Sequence, residues 1–163
     1  MYKRQLWADG VSEFDGEFYT VPPSRMLPRP VQRPGPPVLL GGAVPAALRR
    51  AGRVTDGWIS SSGADLTRIA DDVAQVRRGA EEAGKDPAAV RVVVRGVVRV
   101  DGRPDRLLSG PYDKIREDGA WLAGHGVTEL FYDLNYDRSI GSPDADPAAA
   151  ADRALEILHA LRP

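Results

Sequence analysis

Three sets of residues in this chain have the types and spacing to do chemistry. The first is Gly41-Gly42-Ala43-Val44, directly before Pro45 and behind the apolar run Val38-Leu39-Leu40. A strand, a glycine turn and a helix start in that order leave backbone N–H groups free to hold a phosphate, and this needs no polar side chain. The same pattern is also an ordinary exit from a parallel strand. The second set is Ser60-Ser61-Ser62. Ser60 and its neighbours can bind a phosphate through their hydroxyls or cap the helix that follows. The third is Arg91, Arg95 and Arg99, which share one parity of a valine-rich run while Val92, Val94, Val98 and Val100 share the other. A strand buried on both faces does not accept such a row of charges. These arginines must therefore pair with carboxylates, snorkel outward or reach a strand end where an anion can meet them.

The remaining polar candidates say less. The two histidines, His125 and His159, sit before a strand and in the terminal helix, and they share no metal-ligand spacing. Asp133, Asn135 and Asp137 close a strand and can shape a pocket, although such residues also favour turns. With no cysteine in the chain, thiolate chemistry, thiolate metal sites and disulfides are excluded.

The elements that must position these groups follow a regular order. Met1 to Trp7 reads as the last turns of a helix. Val11 to Val21 reads as a hairpin, with Asp15-Gly16 as a tight type I′ turn between Phe14 and Phe18. Pro22 to Pro37 holds seven prolines and reads as an extended linker. From Val38 onward, strands and helices alternate: strand 38–40, helix 45–53, strand 57–59, helix 65–83, strand 90–100, helix 111–123, strand 127–134 and a last helix from Asp146-Pro147. Leu66, Ile69, Val73, Val76, Ala80 and Ala83 repeat at three- and four-residue steps and make one buried stripe. Asp65 suits the cap of that helix and Gly84 its end. Trp58 reads as a core aromatic. Four strand–helix units imply parallel strands with helical crossovers, either in an open doubly wound sheet or in half of a (β/α)8 barrel. The division predicted is 1–37 and 38–163.

The chain has 163 residues, 42% hydrophobic and 28% charged, with a formal net charge of -1. This composition suits a soluble globular protein and gives no reason to expect nucleic acid or an acidic membrane as partner. No run is long enough to span a membrane, and the cysteine-free composition fits the cytoplasm.

The order of several motifs resembles the luciferase-like monooxygenase superfamily, and within it the branch that uses the deazaflavin coenzyme F-420. The motifs are Leu6-Trp7, Phe14-Asp15-Gly16-Glu17-Phe18-Tyr19, Arg29-Pro30-Val31-Gln32, the run Pro36 to Arg53, Thr55-Asp56-Gly57-Trp58-Ile59, Gly126-Val127-Thr128-Glu129-Leu130 and Gly141-Ser142-Pro143-Asp144. The resemblance implies the C-terminal half of a TIM barrel, strands five to eight. It implies an oxidoreductase in which the reduced deazaflavin gives hydride to a small organic substrate. It places the phosphate end of the cofactor on Gly41, Gly42, Ala43 and Val44; Ser60 is a further candidate for that phosphate, and an arginine of the row, at the barrel mouth, is the candidate that attracts the anionic cofactor tail. FMN, with monooxygenase chemistry, is the alternative cofactor. A third reading is a non-catalytic half-barrel. Half a barrel exposes an apolar interior and two sheet edges, so a second copy or a complementary N-terminal half is the expected partner.

Overall fold

The computed structural model describes residues 2–8 and 10–162. The chain divides into two compact units, Met1–Pro37 and Val38–Pro163.

In the first unit, α1 (Tyr2–Trp7) is followed by the antiparallel strands β1 (Ser12–Asp15) and β2 (Thr20–Ser24). Asp15 pairs with Thr20, so the loop is the four residues 16–19, closed by the Gly16 N–H donating to the Tyr19 carbonyl at 3.1 Å. This corrects the expected two-residue turn. Gly16 is not among the glycines with positive φ, which a type I′ turn requires. The strand also runs into Pro22 and Pro23, taken from the sequence as the start of the linker. A two-stranded sheet has only edge strands, and an edge tolerates prolines.

The second unit carries a four-stranded parallel sheet in the order β3 (Leu39–Leu40), β4 (Gly57–Ile59), β5 (Arg91–Val97), β6 (Glu129–Asp133). Spatial order follows chain order with no reversal. A doubly wound sheet needs a switch point where the order reverses, so the half-barrel alternative is the one the chain adopts. The helices are α2 (Pro45–Val54), α3 (Ile69–Glu82), α4 (Tyr112–Gly124), the short α5 (Arg138–Gly141) and α6 (Pro147–Ala160). None of the helices of the described residues is long and apolar enough to cross a membrane.

The helix signals read from the sequence act as expected. Asp65 accepts the Thr67 N–H, but the first turn it caps is a short 3-10 segment, Leu66–Arg68, that leads into α3. Gly84 follows α3 with φ +68°. Asp146 caps α6 by accepting the Ala149 N–H at 2.8 Å.

Alternate residues of the strands face two different environments. On one face Trp58, Val92, Val94 and Val98 are buried against helix residues such as Leu48, Ala51, Val73, Val76, Ile115 and Leu122. Burial on this scale is the main favourable term holding the unit together. Gly52 and Gly79 allow α2 and α3 to approach closely. A Cβ at Gly52 would overlap the Val76 carbonyl, and one at Gly79 the Arg49 carbonyl. The opposite face bears Leu39, Ile59, Arg91, Val93, Arg95, Val97, Glu129 and Phe131; none of these belongs to the helix-packed core, and among the described residues this face is helix-free.

The strands are shorter than their apolar runs, and side chains splice their ends. The Val38 N–H donates to Asp56 Oδ2 at 2.7 Å, and the Val92 N–H to Thr128 Oγ1 at 2.8 Å. Each hydroxyl or carboxylate stands in for a carbonyl where the ladder has not begun.

Candidate active-site mouth at the strand ends

In a barrel of this kind the site lies where the strands end and the strand-to-helix loops begin. After β3 the chain turns at Gly41-Gly42. Gly42 has φ +139°, and a Cβ there would sit 2.6 Å from that of Ala47, so packing itself demands glycine at this position. Gly41 differs: a Cβ would meet only the Ile59 carbonyl, at 3.6 Å, which is ordinary contact. Packing therefore does not require Gly41, and its missing side chain leaves the outer face of the turn open. The Val44 carbonyl accepts from the Ala47 and Leu48 N–H groups, at 2.9 and 3.1 Å, and Pro45 has no N–H. The Ala46 N–H in the first turn has no intrahelical acceptor.

The turn is fixed from beneath. Trp58, 1% exposed, donates its indole N–H to the Gly42 carbonyl at 2.8 Å. The core aromatic expected from the sequence thus also positions the glycine loop. Gly42 and Ala43 border a cavity of about 300 Å³ with Trp58, Ser61, Arg68 and Asp72. Arg68 supplies a cation there, and burial raises the Asp72 carboxyl above its usual range.

Ser60 is placed differently from Gly41–Val44. It is 3% exposed, and its Oγ accepts the Arg95 N–H at 2.9 Å. The cap of the following helical turn is Asp65, so none of the three serines fills that role. Ser61 is exposed beside the small cavity. Ser62 donates to Asp133 Oδ2 at 2.5 Å, across 71 positions of sequence.

Asp133 is the hub that joins the ends of β4, β5 and β6. Its side chain is fully buried and accepts from Ser62, from Arg95 at 3.2 Å, and from the Asn135 backbone and side-chain nitrogens at 3.2 and 2.8 Å. The Ser62 hydroxyl foremost, then Asn135 and Arg95, hold its carboxyl below the usual range against the opposing effect of burial. Each arginine of the row has a partner. Arg91 makes a two-pronged pair with Glu129, at 2.6 and 2.7 Å; Arg95 lies 5.8 Å from the Phe131 ring centroid; and Arg99 lies 5.7 Å from that of Tyr136. His125 stacks on Trp121 with ring centroids 4.0 Å apart, at the C-terminal end of α4. Asp137 caps α5, a helix absent from the sequence reading. The described residues contain no cluster of three His, Asp or Glu side chains able to hold a metal ion.

Comparisons with known proteins agree with this fold. Residues 2–161 match the luciferase-like monooxygenase family, and the chain belongs to it. It is 36% identical over 155 residues to an uncharacterised protein of Mycobacterium tuberculosis, covering 94% of this chain and 46% of that one. It is 34% identical over 82 residues to an F-420-dependent glucose-6-phosphate dehydrogenase of Nakamurella multipartita, covering 50% of this chain and 24% of the relative. The coenzyme F-420-dependent tetrahydromethanopterin reductase from Methanopyrus kandleri shares the fold, with a TM-score of 0.71 at 15% identity, over 96% of this chain and 58% of that one. The chain thus spans about half the length of these relatives.

Proposed function

We propose that this chain forms the cofactor-phosphate side of a luciferase-like oxidoreductase that uses coenzyme F-420 and acts on a small organic substrate. The observation that carries this reading is Gly41, a position bare of side chain although its surroundings accept one. A backbone left open in that way suits close approach by a phosphate. Gly41, Gly42, Ala43 and Val44 would hold the phosphate end through backbone N–H groups; Gly42 and Ala43 border the small cavity, where Arg68 stands beside Asp65 and Asp72. Ser60 would contribute indirectly, by fixing the Arg95 backbone at the mouth. When bound, the reduced deazaflavin supplies a hydride. The helix-free face of the sheet supports a further part of the reading: a second copy or a complementary N-terminal half completes the enzyme.

Calorimetric titration of the chain with coenzyme F-420 and, separately, FMN tests this, with molar mass recorded on the same sample. Micromolar binding of F-420 is expected, weakened by about 10-fold or more in Gly41→Val at unchanged melting temperature. Tighter binding of FMN would move the chain to the monooxygenase branch. Binding of neither by any oligomeric form would remove Gly41–Val44 as a phosphate site in this chain.

A further inference from the structure

A larger cavity, of about 690 Å³, lies beyond the glycine loop. Its walls include Ser62, Val97, Arg99, Arg106, Ser109 and Tyr136. Three features of this cavity converge.

The first is an excess of cations: Arg99, Arg106 and Lys114 line it with Asp65 and Asp105. Arg99 rests over the Tyr136 ring, and neither Arg99 nor Arg106 has a carboxylate partner among the described residues. The third cation on the wall, Lys114, is committed to Asp118 at 2.6 Å and to the Arg106 carbonyl. Of the two carboxylates on the wall, Asp65 is engaged with the Thr67 N–H and hydroxyl, and Asp105 lies exposed in the 99–110 segment.

The second feature is Ser109. It is 2% exposed, and its Oγ has no hydrogen-bond partner. A buried hydroxyl left unpaired costs stability, and this one lies against Gly102, where a Cβ would come within 2.2 Å of it.

The third is the backbone beside it. Leu108 has φ +57° and is fully buried, a left-handed conformation that a branched, non-glycine residue rarely adopts. It is held there by its N–H donating to Asp118 at 2.6 Å and its carbonyl accepting from Arg99 at 3.0 Å, while the Gly110 N–H donates to the Arg99 carbonyl at 2.9 Å. Two adjacent residues thus carry local costs that put Ser109 and Arg99 against one wall. Strain maintained by several hydrogen bonds is a mark of functional sites.

We infer that this cavity binds an oxyanion, a carboxylate or a phosphate, on the small organic substrate, with Arg99 and Arg106 as its cations. Guanidinium groups bind both classes of oxyanion through paired N–H donors. Assigning the anion to the substrate rests on the oxidoreductase reading above; the existence of the anion site does not.

Titration of the whole chain at low salt with inorganic phosphate and with acetate tests the inference. Saturable binding of at least one is expected, and the tighter names the class. Arg99→Gln and Arg106→Gln should each weaken it by about 10-fold, and Arg99→Lys should restore part of the loss. No saturable binding, or equal affinity in folded Arg99→Gln and Arg106→Gln, overturns the site. Phosphate binding that persists with saturating coenzyme F-420 supports the substrate assignment; displacement gives the site to the acidic cofactor tail and overturns it. Gly41→Val separates the two readings: it should lose F-420 and keep the arginine-dependent binding of phosphate.

Discussion

The two faces of the parallel sheet are built from the same strands by opposite means. The helix-covered face is apolar and close-packed. On it, Trp58, Val92, Val94 and Val98 are each no more than 1% exposed. The helix-free face carries the ion pairs Arg91–Glu129 and Arg95–Asp133, with Phe131 still 53% exposed. Burying surface on the first face is non-directional and forgiving of chemistry, but not of volume. The second face is directional: it matters which groups meet, and much less how much surface they cover. Stability should therefore be concentrated on the covered face, and the positioning of the strand mouths on the other.

Overfilling the covered face should have the largest effect. Gly52→Ala pushes a Cβ into the Val76 carbonyl and should cost about 3 kcal/mol in urea unfolding. A loss below about 1 kcal/mol would mean that α2 and α3 move apart freely, and the contrast between the faces would fail.

On the open face, Asp133→Ala should come next. It leaves the Ser62 hydroxyl and Arg95 without their shared carboxylate and should cost about 2–4 kcal/mol, most of it from groups left unpaired. The sign of the pH dependence is definite. The folded carboxyl titrates below its unfolded value, near 3.9, so the stabilisation is complete above that value and is lost as pH falls through the lower folded one. Asp133→Asn should flatten the decline in stability below about pH 4; an unchanged acid limb would remove Asp133 as its source.

Trp58→Phe tests where the two faces meet. It keeps most of the buried ring but leaves the Gly42 carbonyl without its donor, so about 1 kcal/mol of stability should go, together with some affinity at the glycine loop. Full retention of both would show that the indole only fills space.

The smallest effect should be that of Glu129→Gln. The Arg91–Glu129 pair is well aligned but half-exposed, so the melting temperature should fall slightly at low salt and not measurably at about 1 M. A large loss would make the helix-free face a stability element after all.

What was legible in the sequence follows the same division. The covered face announces itself through periodicity: the α3 stripe, the valines of β5, the caps Asp65 and Asp146, and the burial of Trp58 all follow from local pattern. The alternation of elements also narrowed the fold to two sheets, and strand order chose between them. The mouth is less legible because its contacts join distant positions. Ser62 and Asp133 are 71 residues apart, and no local rule pairs them. The left-handed Leu108 carries no glycine or asparagine to signal its conformation. Asp15-Gly16 misled for the converse reason: its local preference for a tight turn yields to the register shift between Ser12 and Phe14 and the pairing of Asp15 with Thr20.

The bond from the Arg95 N–H to Ser60 Oγ has one more consequence. Past the end of β4 this amide has no carbonyl partner, so a single side chain shields it from solvent. Rotation of one serine exposes it; melting a strand is unnecessary. Its deuterium uptake therefore records the breathing of the mouth on its own clock, separate from the slower amides of Val93 and Val94 within the ladder beneath it.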